Sequence, residues 1–214
     1  MRIAIAGGHG QIALRLARVL SERGDEVLSL IRNPGHAADV EATGARAVVC
    51  DLENASDEEV DAAVEGADAV VFAAGAGPGS GAERKWTVDY GAAAKLIAAA
   101  KRGGIARYVM VSSMGADPDA PGDDVFAVYL RAKGKADADL RDSGLDYTVI
   151  RPGRLTNDPG NGRVSLRENG ESGAIPRDDV AAVLAAVLSA PNTIGRTLDL
   201  VSGEVPVEEA VRAG

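Results

Sequence analysis

Aromatic residues are scarce in this sequence, and acidic residues outnumber basic ones. Of 214 residues, two are phenylalanine, one is tryptophan and four are tyrosine, and 32 acidic residues against 23 basic ones give a formal charge of −9. Proteins that bind nucleic acids need cations to neutralise phosphates and rings to stack on bases. We therefore expect no nucleic-acid partner.

Cysteine, histidine and long apolar runs are also few. The one cysteine, Cys50, permits no internal disulfide, and with only His9 and His36 beside it a metal site is not expected. Cys50 is interpreted as a small buried residue. No stretch reaches the roughly 20 apolar residues that span a bilayer, and the first strand runs into a glycine loop, unlike a signal peptide. These features predict a cytoplasmic protein without a membrane partner.

Short apolar runs alternate with amphipathic stretches along almost the whole chain. Strands are predicted at residues 2–6, 26–31, 45–50, 69–74, 107–112, 146–151 and 196–201, and helices at 11–23, 57–65, 86–102 and 124–142. Strands that are apolar on both faces and separated by helices are typical of a parallel sheet covered on both sides. We predict an α/β fold, a doubly wound parallel sheet of the Rossmann type, in a single domain over residues 1–214. The turn-rich residues 157–175 are expected to be irregular.

A glycine-rich turn joins the first predicted strand to the first predicted helix. In its G-x-x-G-x-x-A spacing, Gly7 permits a tight turn, Gly10 lets the backbone approach a pyrophosphate, and Ala13 lets the helix pack closely on the strand. Free N–H groups and the positive dipole of the helix start attract the anion. The residues predicted to contact a dinucleotide are Gly7, His9, Gly10, Gln11 and Ile12. His9 is interpreted as a solvated loop residue rather than a catalytic group.

The end of the second predicted strand distinguishes the two nicotinamide dinucleotides. An acidic residue there holds the ribose 2′-hydroxyl of NAD, whereas an arginine suits the 2′-phosphate of NADP. Here the strand leads into Arg32, while Asp25 and Glu26 lie at its opposite end. NADP is therefore favoured over NAD, with a solvated surface arginine as the alternative interpretation.

Further cofactor contacts are expected where other strands end. Asp51 is positioned to accept from the adenine amino group while Leu52 packs on the ring, although a turn or capping aspartate is nearly as good an interpretation. Ligands of open α/β sheets bind at the carboxyl ends of the strands. The remaining predicted contacts follow the fourth and sixth strands: Ala73, Ala74, Gly75, Pro152, Gly153 and Leu155.

A tyrosine and a lysine stand four residues apart in the helix predicted after the fifth strand. Tyr129 and Lys133 therefore share one helix face, where a lysine ammonium favours ionisation of a nearby phenol and equips it to exchange a proton with a carbonyl or alcohol. Ser112 and Ser113 end the fifth strand and either can hold a substrate oxygen, unless they only satisfy local backbone. Asp89 is included among the residues predicted to bind the cofactor and is expected to bind backbone or water behind the lysine. The structural alternative is a half-buried tyrosine beside a solvated lysine.

With these motifs, the chain resembles the short-chain dehydrogenase/reductase superfamily, in its atypical, extended-like branch. Within that branch it is similar to NAD(P)H-binding, NmrA-like proteins, which are also described as NAD(P)-dependent epimerases/dehydratases. The resemblance spans about residues 1–212, and its carrying segments are residues 5–13, 32–34, 108–113, 129–133 and 143–153. It implies an NADP-binding Rossmann domain with a Ser, Tyr, Lys and Asn tetrad.

The tetrad of the resembled superfamily maps onto this chain with departures. Tyr129 and Lys133 match its tyrosine and lysine, and Asp89 fills the asparagine position, as is typical of this branch. In one register the serine position falls on Met114, just after Ser112 and Ser113.

The resemblance also implies an activity. Only a short segment at about 156–176 remains to cover a substrate, less than nucleotide-sugar epimerases carry. The resemblance, together with this short segment, implies an NADP-dependent oxidoreductase that reduces a small carbonyl, quinone, flavin or similar acceptor. The protein is expected to be a monomer or homodimer. Two alternatives stay open: a non-catalytic NADP(H)-binding redox sensor that acts through a protein partner, and a sugar epimerase or dehydratase that retains its cofactor.

Overall fold

The chain forms one large sheet with helices on both faces. A computed structural model describes residues 1–77 and 79–213. The strands are β1 (Arg2–Ala6), β2 (Glu26–Ile31), β3 (Arg46–Val49), β4 (Ala69–Phe72), β5 (Arg107–Val111), β6 (Asp146–Pro152), β7 (Arg154–Thr156), β8 (Arg163–Arg167), β9 (Ala174–Pro176), β10 (Arg196–Ser202) and β11 (Val205–Pro206). The α-helices are α1 (Gln11–Glu22), α2 (Ala37–Glu41), α3 (Asp57–Val64), α4 (Ala82–Arg84), α5 (Ala93–Arg102), α6 (Val125–Arg141), α7 (Arg177–Val187) and α8 (Val207–Ala213). A π-helix, Lys85–Ala92, joins α4 to α5, and single 3₁₀ turns occupy Pro34–His36 and Pro191–Thr193.

The sheet has nine strands in the order β11-β8-β10-β6-β5-β4-β1-β2-β3. From β3 to β10 all neighbours are parallel, whereas β8 runs antiparallel to both β10 and β11. The strand order reverses between β1 and β4, as in doubly wound sheets. The predicted fold class is therefore confirmed.

Each face of the sheet has its own apolar core, because successive strand residues point to opposite faces. Ile3 and Ile5 of β1 are fully buried in the core beneath α1 and α7. Ala4 and Ala6 belong to the core on the other face, beneath α3, α5 and α6. A strand apolar on both faces thus lies where both faces are covered, as the sequence pattern indicated.

The segment expected to be irregular, residues 157–175, contains the strand β8. Val164 and Leu166 of β8 are buried, while Arg163 and Arg167 are exposed. This alternation is the period of a half-buried strand, so the expectation was wrong because the preceding turn residues dominated the interpretation. The flanking strands β7 and β9 pair in a separate two-stranded sheet.

The parallel register aligns the carboxyl ends of the central strands. Ala6 is level with Phe72, Phe72 with Met110, and Val111 with Ile150. The loops that follow β1, β4, β5 and β6 consequently meet along one edge, where the cleft described next is found. Within the described part of the chain, no helix has the length and apolar character required to cross a membrane.

Candidate functional site

Two adjoining cavities lie along the carboxyl edge of the sheet. The first cavity, of about 370 Å³, is lined by Gly7–Gly10, Arg32, Asp51 and their neighbours. The second cavity, of about 610 Å³, is lined by Tyr129, Lys133, Ser112–Ser113 and their neighbours. Gly10 and Ala73–Gly75 belong to both walls, so the two form a continuous cleft.

The glycine loop fits an anion at the start of α1. Gly7 has φ of 76°, and a Cβ there would lie 2.6 Å from the Cα of Ala74, so the turn closes on the β4 loop without room for a side chain. Gly10 begins the helix without any side-chain cap, and no acidic residue occupies the first turn. The N–H groups of that turn therefore have no capping side chain and are available to a phosphate.

The carboxylates beside Arg32 are already engaged. Asp51 accepts hydrogen bonds from the Glu53 N–H (3.2 Å) and the Asn54 side chain (2.8 Å). These are the contacts of a turn aspartate, the alternative interpretation of this residue. Glu53 accepts from Arg84 (2.9 Å) and Thr87 (2.5 Å), and these hydrogen bonds lower the pKa of its carboxyl.

Arg32 is exposed at the rim of the first cavity and makes no hydrogen bond or ion pair within the described part of the chain. Leu52 and Cys50 are buried in the same wall. The burial of Cys50 is as predicted, and it raises the pKa of the thiol.

His9 lies in the loop after β1, as predicted, with its side chain 33% exposed, but it has partners that the sequence did not indicate. Its ring stacks on that of His36 with 3.7 Å between centroids, and its Nε2 lies 2.8 Å from Oδ2 of Asp39. Both histidines line the first cavity. The sequence pattern missed this arrangement because the 3₁₀ turn after β2, which carries His36, was not predicted.

Lys133 is buried in the middle of α6, with Asp89 behind it as expected. Its Nζ lies 3.4 Å from Oδ1 of Asp89 and donates to the carbonyl oxygens of Ala74 (3.4 Å) and Val111 (3.3 Å). The other oxygen of Asp89 accepts from the Ala76 N–H at 3.2 Å. The interpretation of Lys133 as a solvated surface residue is therefore wrong.

Tyr129 is half-buried in the wall of the second cavity, one helical turn from the lysine. The Lys133 Nζ lies 6.0 Å from the centroid of its ring, and the ring of Phe126 lies nearly parallel to it at 6.0 Å. A phenol and an ammonium therefore face one cavity from one helix, which suits proton exchange with a bound ligand.

The two serines differ in their surroundings. Ser112 is buried, and its Oγ has no hydrogen-bond partner in the described part of the chain. Ser113 is half-buried, and its Oγ donates to the carbonyl oxygen of Met114 at 3.2 Å. Both serines line the second cavity.

All the predicted site residues lie along this cleft. The first cavity includes Gly7, His9, Gly10, Arg32, Asp51, Leu52, Ala73, Ala74 and Gly75. The second includes Gln11, Ile12, Asp89, Ser112, Ser113, Tyr129, Lys133, Pro152, Gly153 and Leu155. Their roles in binding and catalysis remain predictions.

The sequence interpretation did not assign six further charged or titratable residues to the site. The first cavity is lined by His36, Cys50, Glu53 and Arg84, and the second by Lys85 and Arg177. Lys85 immediately precedes the helix predicted at 86–102, and no local pattern marks a lysine that tertiary packing will bury.

Comparison with known proteins identifies the family to which this cleft belongs. A family profile described as NAD(P)H-binding matches residues 7–191. The chain belongs to this NAD(P)H-binding family. The resemblance to atypical short-chain dehydrogenases/reductases of the NmrA-like kind is thereby confirmed, and a nicotinamide cofactor is the ligand that the family implies.

Relatives of this NAD(P)H-binding chain bear names of two kinds. The uncharacterized sugar epimerase YhfK of Bacillus subtilis is 41% identical over 213 residues, 99% of each chain. A solved Bacillus halodurans structure, ascribed to an NAD-dependent epimerase/dehydratase, is 37% identical with a TM-score of 0.92 and covers 100% of both chains. The NAD(P)H azoreductase of Xenophilus azovorans is 27% identical over 88% of this chain and 64% of its own length.

Proposed function

We propose that the protein is an NADPH-dependent reductase of small, flat acceptors such as quinones, flavins or conjugated carbonyls. The carrying observation is that Tyr129 and the Lys133–Asp89 pair line a cavity continuous with the glycine-loop cavity. When bound, a reduced nicotinamide supplies the hydride to the acceptor. The Tyr129 hydroxyl then gives a proton to the acceptor oxygen, and the nearby Lys133 ammonium favours the phenolate that remains.

NADPH is proposed over NADH because of the charges around the ribose end of the first cavity. Both carboxylate oxygens of Asp51 and of Glu53 already accept a hydrogen bond from a neighbouring donor, which makes either group a weaker acceptor for a 2′-hydroxyl. Arg32 is exposed there, and a guanidinium binds phosphate through a planar fork of donors.

The apolar lining of the second cavity supports a flat acceptor. Its wall includes the apolar side chains Val125, Phe126 and Leu155 near Tyr129. The azoreductase relative, by its name, reduces an azo compound, which is also conjugated. We propose that residues at about 156–176 cover the acceptor, since Leu155 and Arg177 at the two ends of that segment line the cavity.

Cofactor choice is tested by calorimetric titration with NADPH and NADH. We expect wild type to prefer NADPH. Arg32→Ala should weaken NADPH binding by about tenfold or more, because a hydrogen bond between charged groups is lost, and should leave NADH binding nearly unchanged. Arg18→Ala, an exposed arginine of α1 outside both cavities, is the control. Equal binding of both nucleotides by wild type would refute the assignment of Arg32.

Catalysis is tested by following NADPH oxidation with quinone and flavin acceptors. Tyr129→Phe removes only the hydroxyl and should lower kcat by about 10²-fold or more, as expected for loss of a general acid, without changing NADPH affinity. Full activity in Tyr129→Phe would refute its proposed role.

An epimerase or dehydratase that retains its cofactor is the second candidate, favoured by the names of the two relatives reported at 41% and 37% identity. It predicts nicotinamide that co-purifies with the protein and is not consumed during turnover. Nucleotide binding without turnover, together with nucleotide-dependent binding of a protein partner that Tyr129→Phe leaves intact, would instead favour the redox sensor.

A further inference from the structure

The second cavity contains a buried ammonium group that the proposed chemistry does not use. Lys85, in the π-helix, is 8% exposed, and its Nζ donates to the Gly77 carbonyl oxygen at 3.0 Å. The same Nζ lies 5.4 Å from the centroid of the Tyr129 ring. Within the described residues, no carboxylate lies at ion-pairing distance from it.

A buried ammonium without a counter-ion is unfavourable for folding. Burial removes the water that solvates the charge, and one carbonyl and one aromatic face replace that water only in part. Asp89, four residues further on, would be the ordinary helical partner, but its oxygens are directed to Lys133 and to the Ala76 N–H. Lys85 is therefore left to attract an anion from outside the chain.

The charges of the two cavities also favour an anion beside Lys85. In the second cavity the charged lining residues are Lys85, Lys133, Arg177 and a single carboxylate, Asp89. In the first cavity, two arginines are matched by two carboxylates. Gly7, Gly8 and His9 of the glycine loop line only the first cavity, while Gly10 lines both. Lys85 lines only the second cavity, beside Tyr129, where the start of α1 also reaches the wall.

An aromatic surface adjoins this ammonium. Phe126 is 64% exposed although it is a large apolar residue, and its ring lies 29° from parallel to that of Tyr129. Exposed apolar rings at the mouth of a cavity are suited to stacking on a flat ligand. A ring seated here has the Lys85 ammonium within reach of a substituent.

We propose that Lys85 anchors an anionic substituent, a carboxylate or a comparable group, on the flat acceptor of this protein. The proposal rests on the function proposed above, since it specifies the acceptor class of the same cavity. Lys85 is a specificity residue in this view, and Tyr129 remains the proton donor.

The test is a binding measurement that requires no turnover. Protein saturated with NADP⁺ is titrated calorimetrically with anthraquinone-2-carboxylate and with the matched neutral anthraquinone-2-carboxamide. We expect wild type to bind the carboxylate about tenfold or more tightly than the carboxamide, the usual difference for a hydrogen bond between charged groups. Equal binding of the two probes, or no binding of either, would overturn the proposal without any variant.

Variants then locate the anchor. Lys85→Met should abolish the preference for the carboxylate while leaving carboxamide and NADP⁺ affinities within about twofold, and Lys85→Arg should retain the preference. Lys101→Met, at an exposed lysine of α5, is the matched control. Because Lys85→Met removes an unpaired buried charge, its melting temperature should equal or exceed that of wild type.

Two other results contradict the proposal. A parallel loss of affinity for both probes in Lys85→Met would assign the lysine to Tyr129 positioning, and a loss of NADP⁺ affinity would assign it to the cofactor. Failure of the proposed reductase function is a separate result: NADPH would then not be consumed with either probe, while the carboxylate preference through Lys85 would persist.

Discussion

Removing the Asp89 carboxylate should destabilise the protein strongly, even without any ligand. The side chains of Asp89 and Lys133 are 1% and 4% exposed, and their closest charged atoms are 3.4 Å apart. In Asp89→Ala the ammonium would keep carbonyl contacts with Ala74 (3.4 Å) and Val111 (3.3 Å), both long for hydrogen bonds, and the rings of Phe72 and Tyr129 at 5.4 and 6.0 Å from their centroids. Leaving one charge of a buried pair uncompensated costs about 3–5 kcal/mol, a large share of the roughly 5–15 kcal/mol that stabilises a typical domain.

A double-mutant cycle isolates the contribution of the pair. Lys133→Met alone leaves the Asp89 carboxylate buried with the Ala76 N–H as its recorded donor, so it should cost a similar amount. In Asp89→Ala/Lys133→Met neither charge remains, and the combined loss should fall at least about 2 kcal/mol short of the sum of the single losses. Asp89→Asn keeps an acceptor for the Ala76 N–H and should be milder than Asp89→Ala.

The assay is urea unfolding followed by far-UV circular dichroism, in cofactor-free protein. The control is Glu168→Ala, which breaks the ion pair with Arg196. That pair is shorter, at 2.6 Å, but its side chains are 53% and 36% exposed, so the loss should be only about 0.2–1 kcal/mol. Losses below about 1 kcal/mol in both single variants, or additive losses in the double variant, would refute the reasoning.

Two further predictions concern α6. A Cβ at Gly134 would lie 2.3 Å from backbone atoms of Asp117 and Pro118, so Gly134→Ala should lower the free energy of unfolding by up to about 2 kcal/mol, although alanine has the better helix propensity. The control is Gly81→Ala, which has open space around it and should change the free energy of unfolding by less than about 0.5 kcal/mol in the same urea assay. Burial raises the pKa of Asp137 above 3.8, so the folded state holds this proton to higher pH than the unfolded state. As pH rises from 3.8 toward the folded pKa, the free energy of unfolding of wild type should therefore fall relative to that of Asp137→Asn, measured in a pH series of unfolding curves. A constant or rising difference between the two proteins would contradict a raised pKa of Asp137.

Much of the sheet could be predicted from the sequence because buried parallel strands are apolar on both faces. The seven predicted strands all occur, each within about two residues of its expected ends. The strand β8 was missed although Val164 and Leu166 alternate with polar residues, because it follows a turn-rich segment and is the short antiparallel strand next to the edge strand β11. The 2–7-residue elements β7, β9, β11, α2 and α8 are too short for periodicity to distinguish them from loops.

The site was predictable where a spacing within one element carries the geometry. Tyr129 and Lys133 share a helix face by their four-residue spacing, and Gly7 and Gly10 form a turn by theirs. The stacking of His9 on His36 and the burial of Lys85 depend on how separate segments pack. Single-sequence patterns contain no information on such contacts.

The π-helix explains how an acidic chain presents a positive cavity. It contains both Lys85 and Asp89, yet the two charges do not pair with each other: Asp89 is directed to Lys133 and Lys85 to the Gly77 carbonyl. Asp89 compensates Lys133 at 3.4 Å, so the excess positive charge of the cavity lies on Lys85, beside Tyr129, and on Arg177. Because charges are screened beyond about 8–10 Å at physiological salt, the formal charge of −9 has little influence inside the cleft, where the nearby ammonium and guanidinium groups prevail. The division of partners within one helical turn thus makes the second cavity attractive to an anionic ligand in a protein whose overall charge is negative.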